Sequence, residues 1–122
     1  MKKINISTSQ VQMEAELIDS NTVQILWDSL PIEGTVNTWG DEIYFGIPVR
    51  LEAENAVSSV NEGDIAYWPE GNSFCIFFGK TPVSTATEIK PASPVNVLGQ
   101  LLGEPKDWKK VPVGEKIKID KV

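Results

Sequence analysis

Two short apolar runs on either side of a turn-forming stretch constrain this chain more than any other feature. The runs are GDIAYW, residues 63–68, and SFCIFFG, residues 73–79, and the stretch PEGN joins them. The residue types Pro69 and Gly71 in this stretch favour a type II turn, in which Gly71 would supply the positive φ, so the pattern predicts a β-hairpin. Because apolar residues occupy both faces of this hairpin, both faces must be covered. A barrel wall with a helix or loop packed outside it meets that requirement.

Alternation of apolar and polar residues predicts several more antiparallel strands. The clearest cases are KINIS near the N-terminus, QVQMEAEL at residues 10–17 and EKIKID at residues 115–120. The segment TVNTWGDEIYFGIPV predicts either two short strands around Gly40-Asp41 or one bulged strand. Residues 94–102 fit a helix by the proline at their start and a strand by their alternation, and we favour the strand.

One segment, NTVQILWDSL, predicts an α-helix. Its apolar residues from Val23 to Leu30 follow the spacing of a single helical stripe. We expect Asn21 to cap the helix, with Gln24 completing a capping box, and Pro31 to end it near Leu30. One helix and seven or eight short strands predict a small all-β domain, a closed barrel with the helix at its side, formed by residues 1–122 as a single unit.

Composition and charge restrict the possible functions. The formal net charge of −6 disfavours a nucleic-acid partner, which would need clustered basic residues. Residues 1–61 carry three basic and nine acidic side chains, whereas residues 62–122 carry eight of each. This asymmetry fits either two solvated faces or a site that prefers cationic or neutral ligands. The chain has no histidine, which excludes Ser-His and Cys-His catalysis and the common zinc sites.

The single cysteine and the absence of long apolar runs bear on the cellular setting. Cys75 has no partner for an internal disulfide and lies in an apolar run, so we expect it to be a small buried hydrophobe. The N-terminus lacks the apolar region of a signal peptide, and no run approaches the length of a membrane helix. We therefore expect a cytoplasmic protein without a membrane partner.

Three segments, VNTWGDEIYFGIPV, GDIAYWPEGNSFCIFFGKTP and PASPVNVLGQLLG, resemble the small prokaryotic cyclophilin-like family. The resemblance extends from about Ile25 to Val122. It implies a closed antiparallel eight-stranded barrel with fewer helices than a true cyclophilin. Most members of this family have no assigned function.

True cyclophilins are peptidyl-prolyl isomerases that use an arginine in a Phe-His-Arg strand motif ending in Ile-Pro. The similar strand here is EIYFGIP. When Ile47 and Pro48 are matched to that Ile-Pro, Tyr44 and Phe45 occupy the positions of the histidine and the arginine. The only arginine of the chain, Arg50, lies five residues after Phe45. The resemblance therefore implies that the apolar pocket is retained while the catalytic cation is lost.

The candidate binding residues combine this resemblance with the sequence pattern. They are Asn37, Trp39, Tyr44, Phe45, Arg50, Trp68, Phe77 and Phe78. Asn37 would hydrogen-bond an amide while Trp39 stacks on it, or both would serve the local turn and core. Phe77 and Phe78 resemble the Phe-Phe of the cyclophilin proline pocket, and aromatic residues also dominate ordinary cores.

The acidic residues near these candidates are expected to be solvated. They are Asp28, Glu33, Asp41 and Glu42. Paired carboxylates can perform acid–base catalysis or bind a hard cation, but no metal-loop spacing is present. We therefore expect acids exposed in turns, no metal and no cofactor.

The function expected from the sequence is a non-catalytic module that binds a peptide or a small-molecule ligand. One alternative is a weak peptidyl-prolyl isomerase in which Arg50 or a backbone donor replaces the missing arginine. Another is a structural or assembly module that pairs through an uncovered strand edge. We expect a monomer or a weak homodimer.

Overall fold

The computed structural model describes residues 2–122, which form one α-helix, one 3₁₀ helix and nine β-strands. The α-helix α1 is Asn21–Asp28 and the 3₁₀ helix is Pro105–Lys110. The strands are β1 (Lys3–Ser7), β2 (Gln12–Leu17), β3 (Ile32–Thr35), β4 (Asn37–Thr38), β5 (Glu42–Gly46), β6 (Asp64–Trp68), β7 (Ser73–Phe77), β8 (Asn96–Leu101) and β9 (Lys116–Lys121). Neither helix is long and apolar enough to cross a membrane.

All nine strands belong to one antiparallel sheet that curls into a barrel. The strand order is β3-β9-β1-β2-β8-β6-β7-β5-β4. Its two end strands, β3 and β4, are consecutive in the chain and are separated only by Val36. The chain therefore pairs with β9 before Val36 and with β5 after it, which brings the ends of the sheet together. At this junction a Cβ atom added to Gly34 of β3 would lie 2.6 Å from the ring of Phe45 in β5.

The expected all-β barrel is confirmed, although it is nearly rather than fully closed. It has nine strands instead of eight because the segment 32–38 changes its pairing partner at Val36 and is divided into two strands. The segment around Gly40-Asp41 forms two strands, which was one of the two expectations for it. Residues 96–101 form strand β8, so the preference for a strand there is confirmed.

The interior of the barrel is filled by alternate residues of the strands, as the period-2 pattern predicts. Helix α1 adds Val23 and Leu26 to this core, and the 3₁₀ helix adds the fully buried Trp108. The strand residues without exposed surface in this core include Ile4, Ile6, Ile43, Phe45, Ile65, Tyr67, Phe74, Ile76, Leu98 and Ile119.

A second apolar cluster covers the outer face of the β6–β7 hairpin. It is centred on Val60, Ala66, Cys75, Phe77 and Val95. The loops 51–63 and 80–95 supply part of it and are tied down by isolated bridges, Val57 to Val95 and Val60 to Ile89. Both faces of the hairpin are therefore covered, as its sequence requires, and Cys75 is a buried free thiol as expected.

The capping of α1 differs from the sequence prediction. The N-cap is Ser20, whose Oγ accepts a hydrogen bond from the backbone N–H of Val23 at 3.1 Å. Asn21 is already helical, and the carboxylate of Glu54, from a distant loop, accepts hydrogen bonds from the backbone N–H groups of Asn21 and Thr22. The predicted Asn21 cap was wrong because Ser20 stands one residue earlier and because a long-range carboxylate satisfies the next two donors.

The turn between β6 and β7 also differs from the type II prediction. The positive φ of 46° belongs to Asn72, not to Gly71. Asn72 tolerates this conformation, and its side-chain amide donates to the carbonyl of Ile47 at 3.0 Å. Gly71 is needed for a different reason, since any Cβ there would collide with the Trp68 ring.

Candidate functional site

A pocket of about 280 Å³ lies on the outer face of the barrel, where β5 and β6 meet the loop at residues 91–95. Most of its lining is apolar. The lining residues are Trp39, Glu42, Tyr44, Trp68, Pro91, Ala92 and Val95. Among the residues that the structure describes, this lining includes three aromatic rings and one carboxylate but no lysine or arginine.

Strand alternation and one tight turn place the pocket residues. Along β5, Ile43 and Phe45 point into the barrel core, so Glu42 and Tyr44 face outward. Trp39 precedes a two-residue hairpin turn that closes with its N–H donating to the carbonyl of Glu42 at 2.9 Å. Strand β7 pairs with β5 on one side and with β6 on the other, and this pairing brings Trp68 of β6 close to Tyr44 of β5.

The aromatic walls of the pocket are held in defined orientations. The rings of Tyr44 and Trp68 have centroids 6.1 Å apart and planes at 85° to each other. The indole Nε1 of Trp68 donates to the Oγ of Ser93 at 2.6 Å, and the opposite part of this ring packs on the backbone of Gly71. The two rings therefore form a right-angled corner before any ligand binds.

Glu42 is the ionisable acid of the pocket. It is only 5% exposed, and this burial raises its pKa from 4.5 to about 7, an effect that the neighbouring Cys75 thiol partly offsets. Burial and the adjacent carboxylate raise the pKa of Cys75 well above its usual value. Cys75 is consequently a neutral thiol near pH 7, not an activated nucleophile.

Three of the eight residues expected from the sequence meet in this pocket: Trp39, Tyr44 and Trp68. Asn37 is exposed on β4, directly opposite Tyr44 in the ladder, and its side chain bonds weakly to a neighbouring carbonyl. Arg50 is exposed in the loop that follows β5.

The three phenylalanines are placed elsewhere. Phe45 has no exposed surface and belongs to the barrel core. Phe77 is buried in the outer cluster, whereas Phe78 lines a separate cavity of about 430 Å³ with Trp108 and neighbouring residues. The Phe77-Phe78 pair therefore does not form a single wall, because successive strand residues point to opposite sides.

Glu42 is the pocket residue that sequence reasoning missed. The prediction of a solvated turn acid is wrong for Glu42, whereas Asp28 and Glu33 are exposed as expected and Asp41 is half-buried. Glu42 is the first residue of β5 and shares the outer face with Tyr44. The alternation in EIYFG predicts that Glu42 shares a face with Tyr44, but the burial of Glu42 depends on the loop at residues 91–95, which covers this face.

The antiparallel barrel with its one short α-helix is the fold of a cyclophilin-like domain. The chain belongs to the cyclophilin-like family, whose model matches residues 2–120, and the resemblance inferred from its motifs is thereby confirmed.

Among solved structures, the chain is similar to the solution structure of the hypothetical protein AF2241 from Archaeoglobus fulgidus. The two are 39% identical with a TM-score of 0.85, over 99% of this chain and 95% of that one. The fold is also similar to that of McbB, solved in complex with tryptophan, with 15% identity and a TM-score of 0.72. That match covers 96% of this chain but 44% of McbB, and it concerns the fold alone. No curated protein matches the chain.

Proposed function

We propose that this protein is a binding module that holds a small organic molecule in the pocket formed by Trp39, Tyr44 and Trp68. The observation that carries the proposal is the preformed corner of aromatic rings around a concave, mostly apolar space of about 280 Å³. Small-molecule sites are typically such clefts of roughly 300–1,000 Å³ with a few placed polar groups. This volume suits a compact ligand better than an extended peptide.

The comparison with McbB supports a small ligand. McbB shares the fold and was solved in complex with tryptophan. The identity is too low to transfer tryptophan itself to this chain. The shared fold nevertheless favours a small organic molecule as the kind of ligand that the pocket holds.

We further propose that binding is not coupled to prolyl isomerisation. The position matched to the cyclophilin arginine is Phe45, which lies inside the barrel, and Arg50 is exposed after the strand. Rotation of a prolyl amide has a barrier of roughly 18–20 kcal/mol and needs help from a suitably placed donor. We expect cis–trans exchange of a proline tetrapeptide at the uncatalysed rate, measured by NMR exchange spectroscopy. Acceleration that disappears in Arg50→Ala would instead establish a residual isomerase.

We also expect a monomer. The end strands of the sheet are only four and two residues long, which leaves little edge for pairing with another copy. Light scattering over a range of concentrations tests this expectation. A mass that rises towards that of a dimer would favour the assembly alternative.

A fragment screen on the full chain tests the proposed site. We expect hits to shift the indole N–H signals of Trp39 and Trp68 in ¹⁵N-correlated spectra and to leave that of Trp27 unchanged. Trp27 lies on α1, outside the pocket, so Trp27→Leu is the matched control for Trp68→Leu. Binding that survives Trp68→Leu but is lost in Trp27→Leu would contradict the proposal, as would a screen without any pocket ligand.

A further inference from the structure

We propose, building on the function proposed for this pocket, that its ligand is an organic cation with a methylated ammonium group. Trp39, Tyr44 and Trp68 would surround the methyl groups, and Glu42 would be the counterion. The argument depends on the arrangement of the rings, on the charge of the lining and on the hydrogen-bonding capacity that the pocket lacks.

The ring arrangement suits a cation. Aromatic faces attract ammonium groups within roughly 6 Å of the ring centroid, and enclosures of several rings recognise quaternary ammonium ligands. Tyr44 and Trp68 stand at 85° with centroids 6.1 Å apart, so a group in their corner lies close to both rings. Trp39 contributes a further side of the same pocket.

The chain pairs another tryptophan with its own cations but places no cation over the rings of the pocket. The ammonium groups of Lys2 and Lys121 lie 5.9 and 5.2 Å from the Trp27 ring centroid. Within residues 2–122, no such cation lies over the rings of the pocket. The pocket therefore holds aromatic rings that no cation of the described chain covers.

The charge of the lining is complementary to a cation. Glu42 is buried in the pocket wall, and neither a lysine nor an arginine of the described chain lines the pocket beside it. Its titratable neighbour is the Cys75 thiol on β7, which stays neutral. A buried carboxylate without a cationic partner is costly, so a bound monocation would relieve that cost.

The scarcity of polar groups selects methylated ammonium over other cations. A hard metal ion requires six or more oxygen ligands, whereas the lining supplies one carboxylate. A primary ammonium has three N–H donors, and most of them would face apolar surface without acceptors. A quaternary methylammonium has no N–H donor, so apolar walls leave none of its groups unsatisfied.

A matched pair of probes tests the inference. Choline and its neutral carbon isostere 3,3-dimethylbutan-1-ol have nearly the same shape and differ in charge. We expect choline to bind about tenfold more tightly or better in calorimetric titrations at about pH 8. We expect the preference for choline over its isostere to disappear in Glu42→Gln, and we expect choline binding to be lost in Trp68→Leu. The control Trp27→Leu should retain both choline binding and the preference for choline. ¹⁵N-correlated spectra of each variant establish that it is folded.

A second arm identifies the source of the ammonium group. Tetramethylammonium and a peptide containing trimethyllysine carry the same head group. Stronger binding of the peptide would indicate a methylated protein side chain, and stronger binding of the free compounds would indicate a metabolite. Either result supports the methylammonium chemistry of the pocket, but stronger binding of the peptide would contradict the small-molecule ligand of the proposed function.

The outcomes separate this inference from the proposed function. Equal affinities for choline and its isostere, or a pocket ligand from the screen that is neutral while all methylammonium probes fail, would overturn the cation inference alone. Failure of every probe and of the fragment screen would overturn both. Choline shifts confined to residues around Trp27 would also refute the proposed cation site.

Discussion

Replacing Glu42 by glutamine should remove a pH-dependent cost to stability that burial imposes on this carboxyl. The side chain is 5% exposed, and its pKa in the folded protein is raised from 4.5 to about 7. Glutamine has nearly the same shape as glutamate and carries no ionisable group. The substitution therefore removes the ionisation and leaves the packing almost unchanged.

The sign and size of the effect follow from proton linkage. Between about pH 4.5 and pH 7 the folded protein binds the proton of Glu42 more tightly than the unfolded chain does, so the free energy of unfolding falls as pH rises. Each pKa unit corresponds to about 1.4 kcal/mol, so the rise to about 7 costs the folded state about 3 kcal/mol once Glu42 is ionised. The contribution of protonated Glu42 to the free energy of unfolding is fully present below about pH 4.5 and is lost as pH rises through about 7.

Urea denaturation followed by tryptophan fluorescence, at several values between about pH 5 and pH 8, measures this cost. We expect Glu42→Gln to gain stability over the wild type steadily as pH rises, by about 3 kcal/mol at the upper end. Asp64, whose pKa burial also raises, is present in both proteins and cancels in the difference. Parallel stability curves for the two proteins would refute the assigned burial and charge of Glu42.

Three further predictions concern the ligand, the helix and the sheet. Choline affinity should rise with pH up to about 7 in the wild type and stay flat in Glu42→Gln, because only ionised Glu42 attracts the cation; isothermal titration across this range measures it, and a flat wild-type profile would contradict it. Ser20→Ala should lose about 1 kcal/mol of unfolding free energy in urea melts, whereas Asn21→Ala should lose much less; the reverse order would restore Asn21 as the cap. Gly99→Ala should destabilise by about 1–3 kcal/mol because its Cβ would strike the Glu16 carbonyl, while the control Gly46→Ala, with open space around it, should change thermal stability little; equal effects would contradict the close packing of β2 and β8.

The local pattern of residues predicted most of the fold. The period of two along EIYFG separates Ile43 and Phe45 from Glu42 and Tyr44, because neighbouring strand residues point to opposite faces. The two-faced apolar hairpin required cover on both sides, and the loops 51–63 and 80–95 provide it on the outside. These are short-range properties, and they hold wherever the strand comes to lie.

Features that depend on distant segments were not predictable in the same way. The helix cap was misplaced partly because Glu54 reaches back to Asn21 and Thr22. The turn type was predicted wrongly for another reason. A glycine is required at position 71 because a Cβ there would collide with the Trp68 ring, and not because the residue has a positive φ. In each case the deciding contact joins groups that local propensity rules treat separately.

The sequence by itself determined that this protein would be a small β-barrel with aromatic residues on both faces of one wall, since side-chain alternation and turn residues act over a few positions. Only the tertiary structure decided that Trp39, Tyr44 and Trp68 converge on one pocket with a buried Glu42. Desolvation of that carboxylate arises when Pro91 and its neighbours, about fifty residues away in the chain, fold over it. Burial is a property of the assembled neighbours, so the charge state of Glu42 could not be deduced from its position in the sequence.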